Sequence, residues 1–255
     1  MKLPFGKGDK THYKPGTDKK FNLYQVFREE GDEVKCCIPP NFGWLEKKLS
    51  NPEMDYLWRC IKNKKEDYKR GLGGAANISS SNKLLDRGDW FWINTVAPLC
   101  KKYGDVFVNL GDQIPTWNSH PYFISAWWVN YQKKHEFVAL HNHRAVYSFV
   151  IWMKIPTQFE EQVKNPIAYG FDEYCNPPQI SNFAFEYCNI LGESSNHLYV
   201  MDPKMEGTML FFPSKLKHIV YPFYNCDETR ISISGNISLD TSKKLWYSDE
   251  NTIVS

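Results

Sequence analysis

Glu206-Gly207-Thr208-Met209-Leu210-Phe211-Phe212-Pro213-Ser214, continuing into Lys215-Leu216-Lys217-His218-Ile219-Val220, reads as a turn, an apolar strand, a proline stop and a second strand. The run Thr208 to Phe212 is almost wholly apolar, as a short strand bounded by turn signals can be. Pro213 lacks the N–H that would continue its ladder. Working outward, short β-prone runs of the same kind precede it at Phe123 to Tyr131, Glu136 to His143, Tyr147 to Ile155, Phe183 to Cys188 and His197 to Met201. Lys217 to Tyr221 and Arg230 to Ile237 follow it. Aromatic and β-branched residues fill these runs, and Pro, Gly, Asn and Asp punctuate them. Eight short strands with no long helix between them predict a closed or double-sheet antiparallel architecture.

The pattern differs before residue 115. Asn51 to Asn63 and Asp86 to Tyr103 carry helical spacing, and Trp90, Ile93, Val96, Ala97 and Cys100 fall on one face. Gly71 to Gly74 and Ser79 to Ser81 are loop material, and the Pro- and Asn-rich stretch Thr157 to Ser181 is a long insert between strands. The expected organisation is a mainly helical region over 1–115, a β core over 116–240 and a tail over 241–255.

Composition narrows the function classes. The 255 residues include nine Trp, fifteen Tyr and sixteen Phe, enough for a large core and incompatible with a disordered chain. The formal charge of +2 argues against nucleic-acid binding through a broad basic surface. The basic residues concentrate in Lys7 to Lys20 and Lys62 to Arg70, read here as solvated surface. No apolar run is long enough to span a bilayer, and Met1 to Lys7 lacks the apolar core of a signal peptide. Seven cysteines at irregular spacing, with Cys36-Cys37 before Pro39-Pro40, predict reduced thiols and a cytoplasmic protein. The aromatic content permits a homodimer.

Chemistry concentrates in three places. In Leu140-His141-Asn142-His143, strand alternation would aim both imidazoles the same way, at two corners of one metal ion. His218 opens a later strand and is a third ligand candidate, 77 residues after His141. In Thr229-Arg230-Ile231-Ser232-Ile233-Ser234, Arg230 and Ser232 share a face opposite Ile231 and Ile233. An inward guanidinium is costly without an anion, and its fork fits a carboxylate. His12, His120, His135 and His197 have no partner at ligand spacing.

The order His-x-His, distal His, then Arg resembles the Fe(II)- and 2-oxoglutarate-dependent oxygenase superfamily. Its pattern is His-x-Asp/Glu, a distal His and an Arg shortly after. More closely, the chain is similar to the 2-oxoglutarate/Fe(II) oxygenases of tailed phages and marine bacteria, of prolyl-hydroxylase-like type. The resemblance rests on Ala126-Trp127-Trp128-Val129-Asn130, His141-Asn142-His143, Ser148-Phe149-Val150, Gly207 through His218, and Arg230 through Asn236. It implies a double-stranded β-helix, the cupin-like jelly roll, in which His141 and His218 bind Fe(II). Arg230 and Ser232 would then hold the distal carboxylate of 2-oxoglutarate, with Asn130 and Tyr147 on flanking strands reaching the co-substrate. The implied reaction consumes dioxygen, decarboxylates 2-oxoglutarate to succinate and hydroxylates an organic or peptidyl substrate that the sequence does not name. Trp127, Trp128 and Trp152 are candidate pocket walls, though core packing is their commoner role. His143 stands where the superfamily has an acid. It is either a third metal ligand or a residue behind the ligands, with the carboxylate supplied from elsewhere, or the metal is not iron. Two alternatives share the histidines: a three-His cupin-type dioxygenase without 2-oxoglutarate, which has no need of Arg230, and a non-catalytic jelly-roll module, which would carry no metal.

Overall fold

The computed structural model describes residues 41–64, 76–116, 119–168 and 179–243, and the backbone of 246–247 and 253–254. Cys36, Cys37, the basic Lys7 to Lys20 stretch, His12, Lys65 to Arg70 and the glycine run after it lie outside the described residues. The chain divides into two units, Met1–Phe42 and Gly43–Ser255, and the second carries everything below.

Its strands are β1 (Leu45–Lys48), β2 (Ala76–Asn77), β3 (Ser80–Lys83), β4 (Tyr122–Gln132), β5 (Phe137–His141) and β6 (Tyr147–Lys154). Beyond these come β7 (Phe183–Cys188), β8 (Ser194–Tyr199), β9 (Thr208–Pro213), β10 (Lys217–Val220) and β11 (Arg230–Leu239), then a short C-terminal pair, β12 (Trp246–Tyr247) and β13 (Ile253–Val254). Helices α1 (Asn51–Lys62) and α2 (Ala97–Val106) precede β4, and α3 (Phe159–Gln162) follows β6. Six antiparallel strands form one sheet in the order β1-β9-β6-β11-β4-β3, and five form a second in the order β2-β5-β10-β7-β8. All eight runs expected to be strands are strands, in the two-sheet arrangement of a double-stranded β-helix.

Alternation divides the six-stranded sheet into two chemically distinct faces. Trp127, Val129, Phe149, Ile151, Met209, Phe211, Ile233 and Ile237 face outward, where Leu57 and Ile61 of α1 and Leu99 and Tyr103 of α2 cover them. Each such fully buried large apolar side chain stabilises by about 1.5–3 kcal/mol. The inner face presents Val150, Trp152, Leu210 and Phe212 to Phe183 and Phe185 of the second sheet. Gly235 stands where the outer packing is tightest: a Cβ there would lie 2.3 Å from the Phe149 ring. At Gly207 the requirement is conformational. Its φ of 75° makes the turn into β9, while its N–H reaches Trp152 O at 2.7 Å and its carbonyl accepts from Leu49 N at 2.8 Å.

The region before residue 116 is not only helical. It supplies β1 and β3, the two edges of the six-stranded sheet, and β2, an edge of the other. The segment expected as one helix over Asp86 to Tyr103 is a 3-10 turn at Arg87–Asp89 and a π turn at Trp92–Val96 leading into α2.

Buried Glu53 ties these parts together. Its carboxylate accepts from Lys47 Nζ of β1 at 2.6 Å, from Thr95 Oγ1 of the π turn at 2.6 Å, and from Ser50 N and Oγ at 2.8 Å. Burial alone would raise its pKa, but these donors outweigh burial and hold it at about 2 against an ordinary 4.5. A depressed carboxylate pKa contributes stability above the unfolded value, and that contribution fades as pH falls toward the folded one. Glu53→Gln should therefore cost about 1–3 kcal/mol at neutral pH. The gap in melting temperature from wild type should narrow below about pH 4.5 and close near pH 2. Calorimetric scans across that range check this.

Candidate metal centre and co-substrate pocket

Strands β5 and β10 pair with His141 directly opposite His218, and the register slips just beyond, between His218 and Val220. The two imidazole centroids lie 4.2 Å apart. Strand β5 ends at His141, so His143 does not share its strand face as alternation had suggested. It enters from the following loop, where its N–H donates to Ser214 O at 2.8 Å and Ala145 N donates to Ser214 Oγ at 3.2 Å. The loop carries its ring to 5.0 Å from His141 and 5.1 Å from His218. One ligand nitrogen from each histidine falls within 4.8 Å of the others, the only such His/Cys/Asp/Glu group of three or more among the described residues.

The protonation pattern suits a cation. His141 Nδ1 lies 2.8 Å from Ala139 O and His218 Nδ1 lies 3.0 Å from Leu216 O. A carbonyl only accepts, so both Nδ1 atoms carry the proton and both Nε2 atoms are left with bare lone pairs. Burial lowers all three pKa values: His143 to about 4, with His141 adding to the effect, and His218, ringed by Phe183, Phe185 and Phe212, well below its usual range. All three are neutral at pH 7. His143 Nε2 and His218 Nε2 stand 3.2 Å apart. Two imidazoles bound to one ion at about 2.1 Å, at angles between about 90° and 109°, have nitrogens about 3.0–3.4 Å apart. The donor set therefore fits a divalent transition metal.

The cavity that these histidines line is also lined by Asn130, Arg230 and Ser232, and by no Asp or Glu among the described residues. Arg230 is only 2 % exposed. Nη2 donates to Ser181 Oγ at 2.6 Å, while Gln132 Oε1 and Thr157 Oγ1 stand 3.5 Å away and the Phe223 ring packs 4.9 Å from the guanidinium carbon. Nε has no partner. Burial depresses the Arg230 pKa to about 9, so the group remains cationic at neutral pH. A buried cation with an unpaired donor and no carboxylate beside it among the described residues has the chemistry to receive an anion such as a carboxylate.

The other expected site residues divide. Asn130 sits opposite Ser232 in the β4–β11 ladder, accepting from Ser81 Oγ at 3.2 Å and donating to Ser234 Oγ at 3.3 Å. Trp128 and Trp152 line the cavity. Tyr147 does not reach the co-substrate pocket: it lies on the outer face of β6, packed on Tyr103 and Phe211, with its hydroxyl accepting from Leu110 N at 3.0 Å. One-residue alternation separates the faces, and Tyr147 is in phase with Phe149 and Ile151, not with Val150. Trp127 likewise stacks on Phe91 behind the sheet. His135 packs on Tyr224, away from the triad. Ser181, Thr157 and Gln132, which surround Arg230, were missed in the sequence; hydroxyls and amides of this kind carry no spacing signal.

Residues 126–236 match the family described as "Putative 2OG-Fe(II) oxygenase". These residues are a 2OG-Fe(II) oxygenase domain. The match runs from within β4 to within β11 and contains all three histidines, Arg230 and Ser232. The oxygenase is thus an oxidoreductase whose metal is Fe(II) and whose co-substrate is 2-oxoglutarate. It has no match among curated protein sequences. Among solved structures it is similar to a Pseudomonas putida prolyl-4-hydroxylase, at 13% identity and a TM-score of 0.45 over 78% of this chain and 93% of that one. It is also similar to a viral collagen prolyl hydroxylase from Paramecium bursaria Chlorella virus 1, at 15% and 0.41 over 76% and 94%. A third is an oxidoreductase of the 2OG-Fe(II) oxygenase family from Burkholderia pseudomallei, at 13% and 0.46 over 75% and 80%. No helix among the described residues is long and apolar enough to cross a membrane.

Substituting His141, His143 or His218 singly by Ala should weaken Co(II) or Ni(II) binding at least ~10-fold, whereas His135→Ala should leave it unchanged. Anaerobic isothermal titration of the purified protein measures both.

Proposed function

We propose that the oxygenase hydroxylates an organic or peptidyl substrate, with His141, His143 and His218 as metal ligands and Arg230 with Ser232 holding the distal carboxylate of 2-oxoglutarate. One observation carries this reading: three converging neutral imidazoles share a cavity with a buried arginine that meets no carboxylate among the described residues. When bound, Fe(II) and 2-oxoglutarate would supply the electrons that activate dioxygen, the oxidant: one oxygen atom would go to the substrate and the other to succinate, with carbon dioxide released.

The chain's own residues bind, orient and exclude. Ala139 O and Leu216 O fix the His141 and His218 rings through their Nδ1 protons, so their lone pairs converge without rearrangement. Arg230 supplies the charge and fork for a carboxylate, and Ser232, on the same face of β11, adds a hydroxyl. Trp128, Trp152 and Phe212 wall the cavity with apolar surface and keep bulk water out. Imidazole in place of the usual acid leaves the site more positive by one charge, which a dianionic co-substrate offsets.

Arg230 also favours this reading over a three-His enzyme without co-substrate, which has no use for a buried carboxylate clamp. We assign the catalytic core to residues 116–240 and a cytoplasmic location, the latter on the cysteine pattern; a homodimer is compatible with both. Arg230→Ala should raise the KM for 2-oxoglutarate at least ~30-fold, the equivalent of the lower end of the cost of breaking a buried charged pair. Succinate release under anaerobic reconstitution followed by aeration measures this. An unchanged KM would remove Arg230 from the co-substrate site.

A further inference from the structure

The shortest contact to the Arg230 guanidinium comes from outside the barrel strands. Ser181 closes the Thr157–Ser181 insert, and its Oγ accepts from Nη2 at 2.6 Å. Thr157, at the other end of the insert, stands 3.5 Å from the same Nη2 and 3.4 Å from the Ser181 hydroxyl. Ser181 is 0% exposed and has a φ of 66°, a left-handed conformation that a non-glycine residue adopts at a cost. The surroundings enforce it. Ser181 N donates to Pro222 O at 2.8 Å, Tyr221 N donates to Asn182 O at 2.9 Å, and Asn182 Oδ1 accepts from Met201 N at 2.9 Å.

This arrangement has a chemical logic. A carboxylate at position 181 would fix the guanidinium equally well, but it would neutralise the charge that an anionic ligand needs. A hydroxyl takes one Nη2 proton, leaves the charge in place and leaves Nε–H without a partner. We propose that Ser181, backed by Thr157, is a positioning residue that sets the rotation of the Arg230 guanidinium for the distal carboxylate of 2-oxoglutarate. This rests on the reading of Arg230 as the carboxylate clamp. It makes the two ends of the insert, Thr157 and Ser181, part of the co-substrate site.

The test uses Ni(II)-loaded full-length protein and two probes, 2-oxoglutarate and 2-oxobutyrate. The second keeps the 2-oxo acid head and lacks the distal carboxylate. Ser181→Ala should weaken 2-oxoglutarate about tenfold by titration calorimetry, about 1.4 kcal/mol, and leave 2-oxobutyrate unchanged. Ser181→Gly removes the hydroxyl while relieving the backbone, so it should show the same selective loss even if Ser181→Ala folds poorly. Wild-type affinity for 2-oxoglutarate in Ser181→Gly, or an equal loss for both acids, overturns the proposal. Arg230→Ala run in parallel separates the two levels. If it does not distinguish the two acids, the clamp reading fails; if it does while Ser181→Gly does not, only the positioning role fails.

Discussion

The pairing of His141 with His218 across two antiparallel strands is the constraint on which the site depends. In such a ladder, directly opposed residues project to the same side with their Cβ atoms about 4.5–5.5 Å apart, so the register of β5 against β10 alone brings two imidazoles to one point. The register slip just past His218 leaves that pair intact. The third ring needs no strand: a loop tied to Ser214 carries His143 to the same spot. A one-residue shift of β10 would turn His218 away from the cavity and replace it with a neighbour of the wrong chemistry.

Charge is the second organising feature. Among the described residues that line the cavity, Arg230 carries the only full charge, because burial keeps the three histidines neutral and none of the lining residues is Asp or Glu. Such a pocket is electrostatically incomplete by itself. The metal would add two positive charges and 2-oxoglutarate two negative ones, so the ligands compensate each other more than the protein compensates either. Gln132, Thr157 and Ser181 solvate the guanidinium with neutral oxygens and leave its attraction for anions largely undiminished.

How much of this was legible varies with the physics. The eight barrel strands were readable because burial on both faces leaves long apolar runs between turn residues, as in Thr208 to Phe212. His141, His218 and Arg230 were readable because their order along the chain is distinctive and an inward arginine needs a partner. His143 was found through a strand alternation that stops at His141; the residue reaches the site by a turn that single-residue patterning does not encode. Tyr147 was misplaced because a flanking position on a neighbouring strand says nothing about which face a side chain takes. Strands β1 to β3 were passed over because two to four residues leave too short a pattern beside strong helical signals. Ser181 and Thr157 lay in an insert whose composition signals only a loop.

The edge strands have a consequence for how the molecule can be cut. The segment matched by the family begins at Ala126, yet the six-stranded sheet is bounded on one side by β1 and on the other by β3, both earlier in the chain. A fragment trimmed to the matched boundary would bare the outer hydrogen-bonding groups of β9 and β4 and uncover the greasy back of the sheet now shielded by α1 and α2. Naked strand borders beside apolar surface favour intermolecular zippering. The residues proposed for metal and co-substrate all lie in the later segment, but a soluble recombinant product has to start upstream of Leu45.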